Sequence, residues 1–226
     1  MFVCTLVRII IITLVLAGCE RQASDYFPLE ENLVYEYSIL QTVNAEIHQA
    51  RLIIANLPAI STGDEIFYPR RTAAGTMLYF QKRPGGIYYL GDPGVAGHII
   101  LKYPLLQNTT WRSASDVYVL KNRHESFAGG EAFISLGGML SLNYRIAGLH
   151  DLVQTPAGRF ENCVRVEASG SMRVEERTRG ITSINIEQTE WYAPDIGLVK
   201  MTRKEYTIPE KIKAEMVQEL LEIRRP

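Results

Sequence analysis

From Leu33 onward the chain runs as a succession of short stretches rich in β-branched and aromatic residues, separated by turn-forming residues; the whole sequence holds twelve tyrosines. This pattern constrains the fold more than any other feature, because period-2 runs bounded by Gly, Pro and Asp read as antiparallel sheet. Strands are expected over Leu33–Gln41, Ile47–Ala55, Glu65–Tyr68, Thr76–Lys82, Gly86–Leu90 and Val117–Asn122. In the second half they are expected over Leu140–Thr155, Arg159–Ala168, Ile181–Tyr192 and Leu198–Tyr206. Gly85-Gly86, Asp92-Pro93-Gly94 and Gly129-Gly130 punctuate the first set, since glycine accepts positive φ and proline pre-sets the turn. Thr155-Pro156-Ala157-Gly158 carries proline and glycine where a type I turn wants them, and Ala193-Pro194-Asp195-Ile196-Gly197 serves the next strand pair. Between these turns Ile184, Ile186 and Tyr192 share one face, opposite Ser183, Asn185, Glu187 and Thr189, so one side of the sheet faces apolar material and the other faces water.

The tail from Pro209 to Arg225 reads two ways. Ile212, Met216, Leu220 and Ile223 fit helical spacing, in keeping with a composition of good helix formers. Val217, Glu219, Leu221 and Ile223 instead alternate as a final strand. The fold class is therefore mainly β, an antiparallel sheet ending in a C-terminal helix or a final strand. No linker-like stretch or internal repeat divides the chain, so residues 26–226 are expected to form a single domain.

Ahead of it, residues 1–8 carry one positive charge and no acid, Ile9 to Leu16 form a short apolar run, and Leu16-Ala17-Gly18-Cys19 closes it. The layout is that of a secretory signal, too short to span a bilayer, which takes about 20 apolar residues. The tetrapeptide resembles the lipobox of bacterial lipoproteins. That resemblance implies removal of residues 1–18 and lipid attachment at Cys19, with enough acyl chains, palmitate among them, for stable anchoring. Glu20 replaces the aspartate of the known inner-membrane retention signal, so the expected location is the outer membrane, facing the periplasm. Residues 19–25 then form a tether of about 3.3–3.6 Å per residue at most, which holds the folded part close to its membrane.

Without Arg8 the balance is 23 Lys+Arg against 25 Asp+Glu, and no basic face points to nucleic acid. Cys4 leaves with the signal and Cys19 is committed to lipid, so no intramolecular disulfide is expected. Cys163 reads as an inert packed thiol. Strand alternation puts Cys163 with Glu161, Arg165 and Glu167, opposite Phe160, Asn162, Val164 and Val166, which leaves the thiol partly exposed.

Three segments resemble a family of bacterial envelope lipoproteins. They are Tyr26-Phe27-Pro28-Leu29 followed by Tyr35 and Tyr37, the stretch from Thr155 to Cys163, and Trp191-Tyr192-Ala193-Pro194-Asp195-Ile196-Gly197-Leu198-Val199-Lys200. Asn32 and Asp195 stand where that family has glycine, and Asn tolerates positive φ better than most residues. The resemblance implies a single domain of curved antiparallel sheet, a half-barrel or open barrel broadly similar to half-barrel lipoprotein carriers, and it implies no activity. The segment from Ile54 to Ser135 is outside it.

The histidines His48, His98, His124 and His150 form no metal-binding motif, and His150 beside Asp151 points to the opposite face of a strand. Ser135-Leu136-Gly137-Gly138 lacks the nucleophile-elbow spacing, and Gly129-Gly130 lacks that of a phosphate loop. Arg173, Glu175, Glu176, Arg177 and Arg179 read as a solvated mixed-charge stretch. Trp111, in the polar run Asn108–Arg112, reads as the cap of a core or, failing that, as an exposed contact. No catalytic, cofactor or metal residues are expected, and Cys19 is the one site residue. The expected function is non-enzymatic binding of a hydrophobic or lipidic ligand at the envelope. A protein-interaction or envelope-assembly module is the alternative, and a hydrolase assembled from distant strands the third reading.

Overall fold

The computed structural model describes residues 24–91, 97–117, 119, 140–176, 180–209 and 212–225. Thirteen strands form it: β1 (Val34–Val43), β2 (Glu46–Asn56), β3 (Ile60–Thr62), β4 (Glu65–Thr72), β5 (Met77–Arg83), β6 (Gly86–Gly91), β7 (His98–Lys102), β8 (Thr110–Ser115), β9 (Leu140–Thr155), β10 (Gly158–Glu176), β11 (Gly180–Ala193), β12 (Gly197–Ile208) and β13 (Lys213–Arg224). Twelve of them make one antiparallel sheet in the order β7-β6-β5-β4-β2-β1-β13-β12-β11-β10-β9-β8, and β3 pairs with β4 alone. The sheet curls until its two edge strands approach one another. Trp111 on β8 donates its indole N–H to the Ile99 carbonyl on β7 at 3.1 Å, and Lys102 Nζ reaches the Thr110 carbonyl at 3.1 Å. The result is a nearly closed barrel with a seam held by side chains, where a ladder would close it fully.

Alternation decides which residues face inward. On β9 Leu140, Leu142, Tyr144 and Ile146 are buried while Ser141, Asn143 and Arg145 are exposed. On β12 every second residue from Val199 to Thr207 is buried. The main core joins Ile87 and Leu101 from one edge of the sheet to Trp111 and Leu142 from the other, which is how curling buries both edges. A second cluster gathers Tyr35, Tyr37, Val153, Cys163, Val199 and Leu220.

The tail is a strand. β13 lies between β1 and β12 and pairs with both, so a helix there would leave two neighbours without ladder partners. Those non-local hydrogen bonds outweigh the helix-forming composition of the segment, and Ala214, Met216, Gln218 and Leu220 are the residues buried. Three strands, β3, β7 and β8, go beyond the sequence expectation. The expected run Val117–Asn122 falls largely outside the described residues.

Cys163 is fully buried, which corrects the expected partial exposure. Pairing between β9 and β10 slips at Phe160/Cys163, Cys163/Arg165 and Arg165/Val166, and Asn162 takes φ 56. Such bulges break simple alternation. Cys163 and Val164 are consequently both buried, the first in the second cluster and the second in the main core.

Candidate ligand-binding site

A cavity of about 270 Å³ lies inside the barrel, lined by residues from β6, β7, β8, β9, β11 and β12. Tyr89 and His98 approach from one side of the seam, Ser115 and Tyr144 from the other, and Gln188, Glu190, Met201 and Arg203 form the opposite wall. The polar residues reach the interior by strand parity. Gln188 and Glu190 are in phase with Ile184, Ile186 and Tyr192, and Arg203 and Glu205 with Val199 and Met201. Glu190 stands three residues before the end of β11 and Arg203 six after the start of β12, so the site lies about 10–20 Å up the barrel at ~3.3 Å per residue.

Arg203 and Glu205 are among the most deeply buried side chains of the chain. Arg203 Nε donates to Glu205 Oε1 at 2.6 Å, Nη1 to Gln188 Oε1 at 2.6 Å and to Ser115 Oγ at 3.1 Å, and Nη2 to the Asp116 carbonyl. A buried guanidinium persists only when its donors are matched in this way. Glu190 accepts from Gln188 Nε2 at 2.8 Å and from Tyr192 Oη at 2.7 Å. Burial pushes its carboxyl up to about 7; the Tyr192 hydroxyl, Arg203 and Gln188 pull it back only partly. His98 sits edge-on to Tyr89 with centroids 5.2 Å apart, and burial lowers its pKa against the opposing pull of Asp116. The wall thus holds a carboxyl poised near neutrality, an imidazole favoured neutral, and two aromatic side chains.

The resemblance-bearing segments converge elsewhere, at one end of the barrel that we call the base. Asp25 and Asp195 exchange hydrogen bonds, Asp25 N to Asp195 Oδ1 and Asp195 N to the Asp25 carbonyl, both at 2.8 Å. Tyr26 Oη donates to the Asn162 carbonyl at 3.1 Å, and Lys82 Nζ pairs with Asp25 at 2.9 Å. Phe27 inserts beside Phe80 and Tyr192. The buried Arg70 lies over the Phe27 ring at 4.4 Å and donates to the Pro28 carbonyl at 2.7 Å. The first described residues therefore close the base as a strap. Asn32 and Asp195 adopt φ 66 and 60, the left-handed region where glycine is at ease.

Of the residues singled out by sequence, His98 alone lines the cavity. His48 is exposed beside Glu46 at 3.8 Å, and His150 meets the Asn162 side chain at 3.3 Å on the surface. Asp151 accepts from Trp191 Nε1 at 3.1 Å and pairs with Arg165 at 2.9 Å, so it does not serve His150. Burial raises the Cys163 thiol to about 11, reinforced by Asp151, which leaves it unreactive near neutrality. Trp111 is buried, stacked on Tyr144 with centroids 5.2 Å apart, and forms part of the seam. Cys19, His124, Gly129, Gly130, Ser135, Leu136, Gly137 and Gly138 lie outside the described residues. Among the described residues, no group of three or more His, Cys, Asp or Glu is placed to hold a metal ion. Sequence reasoning missed Glu190 and Arg203, although their parity with buried apolar residues marked them as inward.

No family model matches the chain. No curated protein matches it either. Among solved structures it is similar to an exported protein with a YmcC-like fold from Bacteroides fragilis NCTC 9343, at 15% identity and TM-score 0.44, over 89% of this chain and 100% of that one. It is also similar to a protein described as a lipoprotein from Parabacteroides distasonis ATCC 8503, at 14% identity and TM-score 0.42, over 90% and 100% of the two chains.

Proposed function

We propose that this chain is a lipid-anchored, non-enzymatic binding protein of the bacterial envelope, attached through Cys19 to the outer membrane and facing the periplasm. The observation that carries the binding role is the cavity inside a nearly closed barrel, walled by the Arg203, Gln188 and Glu190 network. An acyl chain would need a long apolar channel. The cavity among the described residues is small, and its lining carries Arg203, Gln188, Glu190, Asp116 and His98, which favours a small polar ligand over the lipidic one expected from sequence. The lipid on Cys19 then serves as anchor.

Replacing Cys19 with Ser should move the protein from the membrane to the soluble fraction and abolish incorporation of labelled palmitate. A variant that stays membrane-bound overturns the anchor. A second reading, docking of an envelope protein, is favoured by β3, which among the described residues pairs with β4 alone and whose Ile60, like Ile66 on β4, is exposed. In-cell crosslinking from position 61 would recover one dominant partner if that reading holds, and a diffuse background if it does not.

A further inference from the structure

We propose that the barrel cavity recognises a small organic cation bearing a primary amine, with its charged head on Glu190 and its body against Tyr89 and Tyr144. This deepens the reading of the cavity as a ligand site and rests on it. The argument is one of donors and acceptors. An anion entering the cavity would meet an Arg203 already committed to Glu205, Gln188, Ser115 and the Asp116 carbonyl. The Gln188 amide and the Tyr192 hydroxyl are likewise turned onto Glu190.

A cation meets the reverse situation. Each oxygen of Glu190 accepts one hydrogen bond and keeps further lone-pair capacity, whereas an ammonium brings three donors and no acceptor. The buried Arg203–Glu205 pair cancels internally, so Glu190 and Asp116 leave the wall net acidic once Glu190 ionises. Tyr89 and Tyr144 add aromatic faces of the kind that attract ammonium groups. A cavity of about 270 Å³ is just below the range of about 300–1,000 Å³ typical of ligand sites, which suits a compact amine.

Binding should also move a proton. The groups around Glu190 are Gln188 and Tyr192 on its own strand, Arg203 and Glu205 on β12, Tyr144 on β9, Asp116 after β8, and Tyr89 and His98 on β6 and β7. Of these, Glu190 is the carboxyl poised near neutrality, and a neighbouring ammonium favours its ionised form. Near neutral pH ligand binding should therefore release protons from Glu190.

Isothermal titration calorimetry of the full chain in detergent tests this, with putrescine and agmatine as cations, acetate and succinate as anions, and glucose as a neutral probe. The expected result is binding of the cations alone, with an enthalpy that depends on buffer ionisation. Glu190→Gln should weaken binding at least tenfold and remove the proton release, and Asp116→Asn should weaken it less. Undiminished cation binding by Glu190→Gln overturns the proposal. Selective binding of an anion or of glucose overturns the amine assignment and keeps the cavity as a ligand site. No binding of any probe overturns both.

Discussion

Glu190→Gln is the most informative single change in this protein, because it replaces a carboxyl that burial holds far from its usual range with an isosteric neutral group. Its pKa stands near 7 in the fold against 4.5 when free. Since the folded state binds the proton more tightly than the unfolded chain, stability is fully retained below pH 4.5 and falls as pH rises toward 7. Above that the loss is complete. A shift of this size is worth up to ~3 kcal/mol at about 1.4 kcal/mol per unit, and water reaching the open side of the cavity reduces it to about 1–2 kcal/mol. The glutamine keeps the local hydrogen bonds, since its carbonyl can accept from Gln188 and its amide can donate to the Tyr192 hydroxyl. Urea unfolding of the full chain at pH 4.5, 6 and 8 should therefore give matching stabilities for the two proteins at the lowest pH. At pH 8 the variant should be the more stable by about 1–2 kcal/mol. A difference that stays constant with pH, or one of opposite sign at pH 8, would refute the assignment of Glu190 as a carboxyl destabilised by burial.

Arg70→Met removes the hydrogen bond to the Pro28 carbonyl and the cation above Phe27, at an expected cost of about 2–3 kcal/mol. Hydrogen exchange should then quicken at Tyr26–Leu29 relative to β9, and unchanged protection would show that the strap is held by other contacts. At Gly86 the backbone has φ 142, and a Cβ would come 2.2 Å from the Leu101 carbonyl oxygen. Gly86→Ala should lower stability by about 2–4 kcal/mol and visibly reduce the thermal midpoint, whereas Gly63→Ala, with nothing within 4 Å, should cost only about 1 kcal/mol for its positive φ.

Long strands were legible because burial on one side imposes alternation. Leu140–Thr155 coincides with β9, and Ile181–Tyr192 and Leu198–Tyr206 fall within β11 and β12. What escaped were strands whose inward residues are small or polar. On β8 the buried positions are Trp111 and Ser113, which give no apolar period, and β3 is a three-residue exposed strand. Position 163 escaped for a different reason: a bulge resets parity, and no residue type announces it. The tail was ambiguous because local preference and non-local pairing disagree there, and pairing on both sides of β13 decided the outcome.

The cavity escaped because attention went to residue types that carry chemistry by motif, and the barrel builds its polar wall by parity. Glu190 and Arg203 are conspicuous only when Ile184, Ile186 and Tyr192, or Val199 and Met201, are taken as defining the inner face. An ionic pair on that face costs desolvation, and a hydrophobic pair of equal volume would stabilise the barrel at least as well. The three resemblance-bearing segments have a separate task, since they meet at the base, where Asp25, Asn162 and Asp195 tie the strap to a bulge of β10 and to the turn between β11 and β12. The barrel therefore divides its labour along its axis: the base holds the first described residues, and the polar residues of the cavity begin about 10 Å above it. Under the proposed anchoring at Cys19, about six residues of tether, spanning ~20 Å at full extension, would hold a ligand at Glu190 within a few tens of ångströms of the membrane.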